Sequence, residues 1–131
     1  MLLVIDAGVA LDVAMSEAGF DLLEDHELAA PPLLWSETLS VLHELLWRKE
    51  VSEELAAIAM DRFGSAPVRR RRPPSLSREA WRIAEELGWA RTYDAEYVAL
   101  AGILACPLLT VDGRLKRGAA RVVRMLGPAD L

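Results

Sequence analysis

A chain that begins Leu2-Leu-Val-Ile5 and stops at once on Asp6, with Gly8 close behind, commits its first residues to the interior of a sheet. Four apolar residues in a row, without polar alternation, suit a strand covered on both faces, the environment of a parallel sheet. Parallel strands need long crossover connections, and the chain supplies them. Val9 to Met15 reads as a short helix, Phe20 to Glu27 as a second, and Leu28-Ala-Ala30 before Pro31-Pro32 as a brief strand. From Leu33 to Lys49 the residues Leu34, Thr38, Val41, Leu42, Leu45 and Leu46 recur at helical spacing. Val51-Ser52 interrupts and Glu53 to Phe63 resumes, which predicts a helical hairpin.

Gly64 to Ser75 holds three prolines and the run Arg69-Arg-Arg-Arg72, so it is loop or edge strand rather than helix. Ser77 to Leu87 resumes as helix, with Trp81, Ala84 and Leu87 on one face and a stop at Gly88. Thr92 is placed to cap the next helix, which is apolar almost all round after Glu96 and ends at Pro107, the mark of a helix buried between other elements. Leu108-Leu-Thr-Val111 is a second apolar strand ending on Asp112-Gly113, and Arg121-Val-Val-Arg124 reads as a further one. Strands alternating with helices predict one α/β domain over residues 1–131, with a central, mostly parallel β-sheet flanked by α-helices on both faces.

At 131 residues, 53% apolar and 27% charged, the chain has enough hydrophobic material for one core, which excludes disorder of the bulk. No apolar run approaches the roughly 18 to 20 residues that span a bilayer, and the opening lacks the basic start of a signal peptide. A soluble, cytoplasmic protein with no membrane partner is expected. The single Cys106 cannot form an intramolecular disulfide and reads as a small buried hydrophobe. The net charge of -5 conceals a division: residues 1–61 carry 13 acidic and 2 basic side chains, residues 62–131 carry 7 and 13. Either the halves attract each other within the fold, or the arginine-rich half receives an anionic partner.

Four acids stand out. Asp6 and Asp112 each follow an apolar strand, and in open α/β sheets ligands bind at the carboxyl ends of strands. Glu37 lies early in its helix among Leu34, Trp35, Thr38 and Leu39, and Asp94 in the first turn of the buried helix. Each alone has a structural explanation as a helix cap or a partner of the helix dipole. Glu37 resists it most, because an unpaired buried carboxylate is costly. A divalent ion shared by several carboxylates answers that cost, although an arginine from the second half would also serve. Carboxylates with water select hard ions, Mg2+ with Mn2+ as a substitute. One such ion, or two about 3.5 to 4 Å apart, would activate water for in-line attack on a phosphodiester, with the arginines contacting backbone phosphates without reading sequence.

The segments Val4-Ile-Asp-Ala-Gly-Val-Ala10, Glu37 in a helix after Pro31-Pro32, Tyr93-Asp-Ala-Glu-Tyr-Val-Ala-Leu-Ala101 and Leu109-Thr-Val-Asp-Gly-Arg-Leu115 resemble a PIN domain of the VapC toxin type, in the right order and over nearly the whole chain. The resemblance implies a magnesium-dependent endoribonuclease, the toxin of a type II toxin-antitoxin pair. It implies RNA as substrate and a cognate antitoxin; with so many apolar helix faces on a small domain, surface should remain that a homodimer and an antitoxin segment would cover. Asp6, Glu37, Asp94 and Asp112 match the family's acidic metal-binding quartet, and Thr110 the threonine that often precedes its last aspartate. One departure is visible: relatives commonly carry Ser or Thr two residues after the first Asp, where this chain has Gly8.

Arg114, Lys116 and Arg117 directly follow Asp112 and are the chosen candidates for substrate contact, ahead of the Arg69 to Arg72 run. His26 and His43 are too isolated to form a metal site, and Glu44 is expected to pair with Arg48 one turn on. Trp35, Trp47, Trp81 and Trp89 read as core and interface anchors. Two other functions compete with the nuclease. A phosphotransfer domain using Asp6 as acceptor conflicts with Gly8, where a haloacid-dehalogenase-like site needs Asp, and with the lack of a strand ending in Lys, which a receiver domain needs. A catalytically weakened PIN-like RNA- or protein-binding module would retain the acids for fold or partner binding alone.

Overall fold

β1 (Leu2–Ile5) is the centre of a five-stranded sheet in which every pair is parallel. It is followed by α1 (Ala7–Met15), β2 (Glu27–Ala30), α2 (Leu33–Trp47), α3 (Glu53–Gly64), β3 (Val68–Arg70), α4 (Leu76–Leu87), α5 (Tyr93–Ile103), β4 (Leu108–Leu109), α6 (Gly113–Ala119) and β5 (Met125–Leu126). The computed structural model describes residues 1–131. Across the sheet the strands run β3-β2-β1-β4-β5. The chain thus moves outward from β1 to β3, then returns through α4 and α5 to the other side of β1. Right-handed crossovers put α1, α2 and α3, which pack together, on one face, and the α4–α5 pair on the opposite face.

Burial explains the uninterrupted apolar runs. Leu3, Val4 and Ile5 are fully buried, as are Ala95, Tyr97, Val98, Leu100 and Ala101 of α5, which packs on β1 and β4. Small residues on α4 (Ala80, Ala84) and α5 (Ala95, Ala99) let these two helices approach closely. Gly88 ends α4 in the left-handed conformation (φ 72°) that glycine adopts without penalty. No helix is long and apolar enough to cross a membrane.

Several local expectations are corrected. The helix expected over Phe20 to Glu27 is a 3-10 turn at Gly19–Leu23, and Glu27 already belongs to β2. The strand expected at Arg121 to Arg124 forms instead at Met125–Leu126, because Val122 and Val123 still bond back to Ala119. Regular pairing in β4 stops at Leu109, earlier than Val111. Thr92 precedes α5 but its side chain makes no capping bond. Trp81 and Trp47 are not core residues: they are 64% and 80% exposed, and α4 buries Leu76, Ala80, Ile83 and Ala84 instead. Cys106 is half-buried just beyond α5. Arg69 and Arg70 lie on the edge strand, and Glu44 does pair with Arg48, at 2.6 Å on the surface.

Candidate active site

The order of strands reverses at β1, so a crevice opens between the carboxyl ends of β1 and β4. Asp6, the residue after β1, caps α1: its Oδ1 accepts from the Val9 amide at 3.0 Å. It is 7% exposed. On the β4 side the Thr110 hydroxyl donates to Asp6 Oδ2 and accepts from the Asp112 amide at 3.0 Å. Asp112 in turn caps α6, its Oδ1 accepting from the amides of Arg114 and Leu115 at 2.9 and 3.3 Å. One buried hydroxyl therefore connects the two strand-end aspartates.

Glu37 enters from α2 and Asp94 from the first turn of α5. One turn beyond Asp94, the fully buried Tyr97 donates its hydroxyl to Glu37 Oε1 at 2.8 Å. A groove of about 610 Å³ is lined by Glu37, Asp94 and Asp112, with Arg91, Arg114 and Trp89 beside them.

The carboxylates are electrostatically coupled. Burial, followed by the charges of Asp94 and Glu37, pushes the Asp6 carboxyl up, against the bonds from Thr110 and Val9 that pull it down. Burial likewise raises Glu37, with Asp94 and Glu96 adding to it and the Tyr97 bond opposing. Asp94 is raised by the protein around it and by Asp112, with Arg114 countering. Tyr97 is held protonated by burial and by Glu37.

These residues suit a hard divalent cation. Asp6, Glu37 and Asp94 take part in none of the four ion pairs, Arg48–Glu44, Arg82–Glu79, Arg82–Glu86 and Lys116–Asp130. The donors offered are carboxylate oxygens, the ligand type of Mg2+ and Mn2+. No three Asp, Glu, His or Cys side chains stand close enough together to share an ion as they are placed. Binding one requires the carboxylates to draw inward, against their mutual repulsion and with the ion's charge to offset it.

Of the basic candidates, Arg114 lines the groove. Arg117 folds back so that its Nη1 lies 3.1 Å from where a Cβ on Gly113 would stand, beside the start of α6. Lys116 pairs with Asp130 at 3.2 Å and does not line the groove. Sequence reasoning missed three residues. Tyr97 was signalled by a hydroxyl in an otherwise apolar helix, since a buried phenol needs a partner; Arg91 and Glu96 flank Asp94 but carried no signal. At Gly8 the backbone does not demand glycine. A Cβ there would lie 3.6 Å from Asp6 Oδ1 and 3.1 Å from Val111 Cγ2.

A family model described as PIN domain matches residues 3–121. Ribonuclease VapC1 of Mycobacterium tuberculosis (strain ATCC 25618 / H37Rv) is 34% identical over 119 residues, covering 86% of each chain. Ribonuclease VapC9 of the same strain is 32% identical over 115 residues, 87% of this chain and 88% of that one. Among solved structures, PAE2754 from Pyrobaculum aerophilum superposes with a TM-score of 0.72 at 24% identity, covering 98% of this chain and 93% of the other. VapBC2 from Rickettsia felis, bound to a DNA fragment from their promoter, gives 0.65 at 13% identity over 97% and 98%.

Proposed function

The chain belongs to the PIN-domain family, and from that premise we propose that it is a VapC-type endoribonuclease, the toxin of a VapBC-like pair, which hydrolyses RNA phosphodiesters with Mg2+. The observation that carries the reading is a row of carboxylates along the carboxyl edge of the sheet, Asp6 and Glu37 each feeling the charge of Asp94 and Asp94 that of Asp112, with no lysine or arginine in ion-pair contact with any of them. Asp6, Asp94, Glu37 and Asp112 would hold the ion. When bound, it supplies Lewis acidity that eases deprotonation of water and stabilises the leaving oxygen.

The chain's own groups do the rest. Tyr97 orients Glu37 and keeps one of its oxygens engaged, leaving the other free. Thr110 fixes the Asp6 carboxylate and the Asp112 backbone in one frame, so two acids far apart in sequence, following neighbouring strands, keep a constant separation. Arg114 sits where a phosphate oxygen held between Asp94 and Asp112 would be met by its guanidinium fork. Arg117, beside the start of α6, is a second phosphate contact, whereas Lys116 would first have to leave Asp130. No side chain is needed as a covalent nucleophile.

A cognate antitoxin and a second copy of the chain are the proposed partners, and the cytoplasm the place of action. The exposed Trp47, Trp81 and Met60 support assembly through surface not covered within the monomer. The test is cleavage of total and defined RNAs by the purified protein in Mg2+, Mn2+ or EDTA, beside an Asp6→Asn, Asp94→Asn double variant. Metal-dependent cleavage absent from the variant is expected. Cleavage that survives EDTA or the double substitution overturns the reading. Folded, metal-binding protein that cuts none of these RNAs leaves the weakened binding module.

A further inference from the structure

We propose that Arg70 and Arg72, at the end of the edge strand and just beyond it, form a second phosphate-binding wall, so that an RNA strand crosses the acidic centre between two basic flanks. This rests on the ribonuclease reading and assigns residues that the acidic site itself does not contain.

The placement follows from the sheet. β3 runs parallel to β2 with Ala30 opposite Arg70, so its carboxyl end emerges on the same edge as Asp6 and Asp112. The Arg71 amide extends the pairing by one bond, to Ala30 O at 2.9 Å, and Pro73 and Pro74 then lack the N–H groups to continue it. The β3 strand is two inter-strand spacings from β1, roughly 10 Å in the plane of the sheet. Arg70 and Arg72 are both exposed there, and neither takes part in an ion pair.

Arg70 is also held in place. Its guanidinium lies over the ring of Trp35, 4.5 Å from the centroid. Trp35 itself packs on Phe63, with ring centroids 6.2 Å apart, and stands two residues before Glu37 on α2. Stacking covers one face of the guanidinium and leaves its in-plane N–H fork for an anion, with less side-chain freedom to lose on binding. Arg72 lies near enough to Glu96, two residues after Asp94, for its charge to oppose the burial that raises that carboxyl.

The substrate requires such a wall. A polyanion approaching four carboxylates is repelled, and a bound cation offsets this only locally. On the α6 side Arg91 and Arg114 line the groove. On the β3 side, without the arginines, the strand would meet Glu37 and Glu96 alone. Arg70 and Arg72 complete the balance, and because they contact backbone they confer reach along the strand rather than sequence preference.

The test is binding of a short fluorescein-labelled single-stranded RNA, followed by anisotropy in EDTA across a salt series. The proteins compared are wild type, Arg72→Ala, Arg70→Gln/Arg72→Ala and the control Arg82→Ala, which lies on α4 paired with Glu79 and Glu86. Each wall arginine removed should lower the slope of log affinity against log salt by about 0.7, and the pair by about 1.4. Arg82→Ala should leave it unchanged. Arg72→Ala touches no core residue and reads the wall even if Arg70→Gln loosens Trp35. An unchanged slope in both wall variants overturns the proposal, and so does wild-type protein that binds no RNA, which would leave the arginines to an acidic protein partner. Wall-dependent binding without cleavage in Mg2+ keeps the wall and removes the ribonuclease reading; cleavage with unchanged slopes does the reverse.

Discussion

The Tyr97 hydroxyl and Glu37 Oε1 lie 2.8 Å apart, and their bond joins α5 to α2 beside the groove. Sixty residues of chain separate the two. The phenol is fully buried, whereas Glu37 is only half-buried, so the bond converts a carboxylate with some freedom into one with a fixed direction.

Tyr97→Phe keeps the ring and removes the donor. At neutral pH the protein should lose about 1 to 2 kcal/mol, the worth of a hydrogen bond to a partly solvated charged acceptor. The bond pulls the Glu37 carboxyl down, so the variant should also bind divalent ions more weakly at mildly acidic pH, where more of Glu37 is protonated. Urea unfolding at two pH values and calorimetric titration with Mn2+ measure both. The stability loss should shrink as the pH falls through the raised Glu37 value, above the ordinary 4.5, because the bond favours the ionised carboxylate.

Thr110→Val preserves shape but orphans the Asp112 amide and removes a donor from Asp6. A loss of about 1 to 3 kcal/mol is expected, with cleavage falling more than stability because two acids lose their common support. Thr110→Ser should restore most of both. Equal behaviour of the Ser and Val variants would mean that the methyl group, not the hydroxyl, matters.

Asp6 and Asp94, with an ordinary value of 3.8, and Glu37 and Glu96, with 4.5, are all raised in the fold, burial being the largest cause in each. Raised acids favour the folded state while protonated, so their joint contribution is whole below about pH 3.8 and is lost as the pH climbs through their raised values. In EDTA, Asp6→Asn/Asp94→Asn should therefore gain melting temperature relative to wild type on going from acidic to neutral pH. Saturating Mg2+ should reverse the order, since binding adds about 2.7 kcal/mol to wild type at a hundredfold excess over Kd and nothing to the variant. A difference between the two proteins that ignores both pH and Mg2+ would argue against a shared cation site.

Gly8→Ser places a hydroxyl beside Asp6 at the cost of a 3.1 Å approach to Val111 Cγ2. Val111 is 45% exposed and has room to turn away. Stability should change by no more than about 0.5 kcal/mol, while Mn2+ affinity rises several-fold. Unchanged affinity would remove Gly8 as a determinant of metal binding.

What was legible in the sequence was local. An apolar run stopped by Asp, a helix apolar all round and a glycine after a helical pattern each depend on neighbours a few positions away, and Asp6, Asp94 and Gly88 stand where those signals place them. β5 and the turn at Gly19–Leu23 depend on distant partners: two residues cannot announce a strand until β4 is there to pair with. α6 is short, begins on Gly113 and contains Gly118, and it rests on the Asp112 cap and the burial of Leu115 and Ala119. Trp81 misled because apolar periodicity alone does not say which face turns inward: α4 buries Leu76, Ala80, Ile83 and Ala84, and the Trp81 indole is 64% exposed. The places of the acids on their elements were legible: Asp6 ahead of α1, Glu37 on α2, Asp94 in the first turn of α5 and Asp112 ahead of α6. Thr110 was marked by the resemblance and Tyr97 by a hydroxyl in an apolar helix, but their pairings, Tyr97 with Glu37 and Thr110 with Asp6, were not legible, because no local pattern encodes which residue faces which across 60 or 104 positions.

The central position of β1 also sets an order of assembly. Its pairing with β2 is available early in synthesis, but its other edge stays open until β4 arrives, and the Thr110 hydroxyl that fixes Asp6 comes with it. Contacts of such long sequence separation close late. A chain still emerging from the ribosome carries Asp6, Glu37 and Asp94 but has neither Asp112 nor the support that aligns the first of them. The nascent polypeptide thus holds three of the four acids without the frame that aligns them, and the full quartet is assembled only once the C-terminal portion of the chain has joined the sheet.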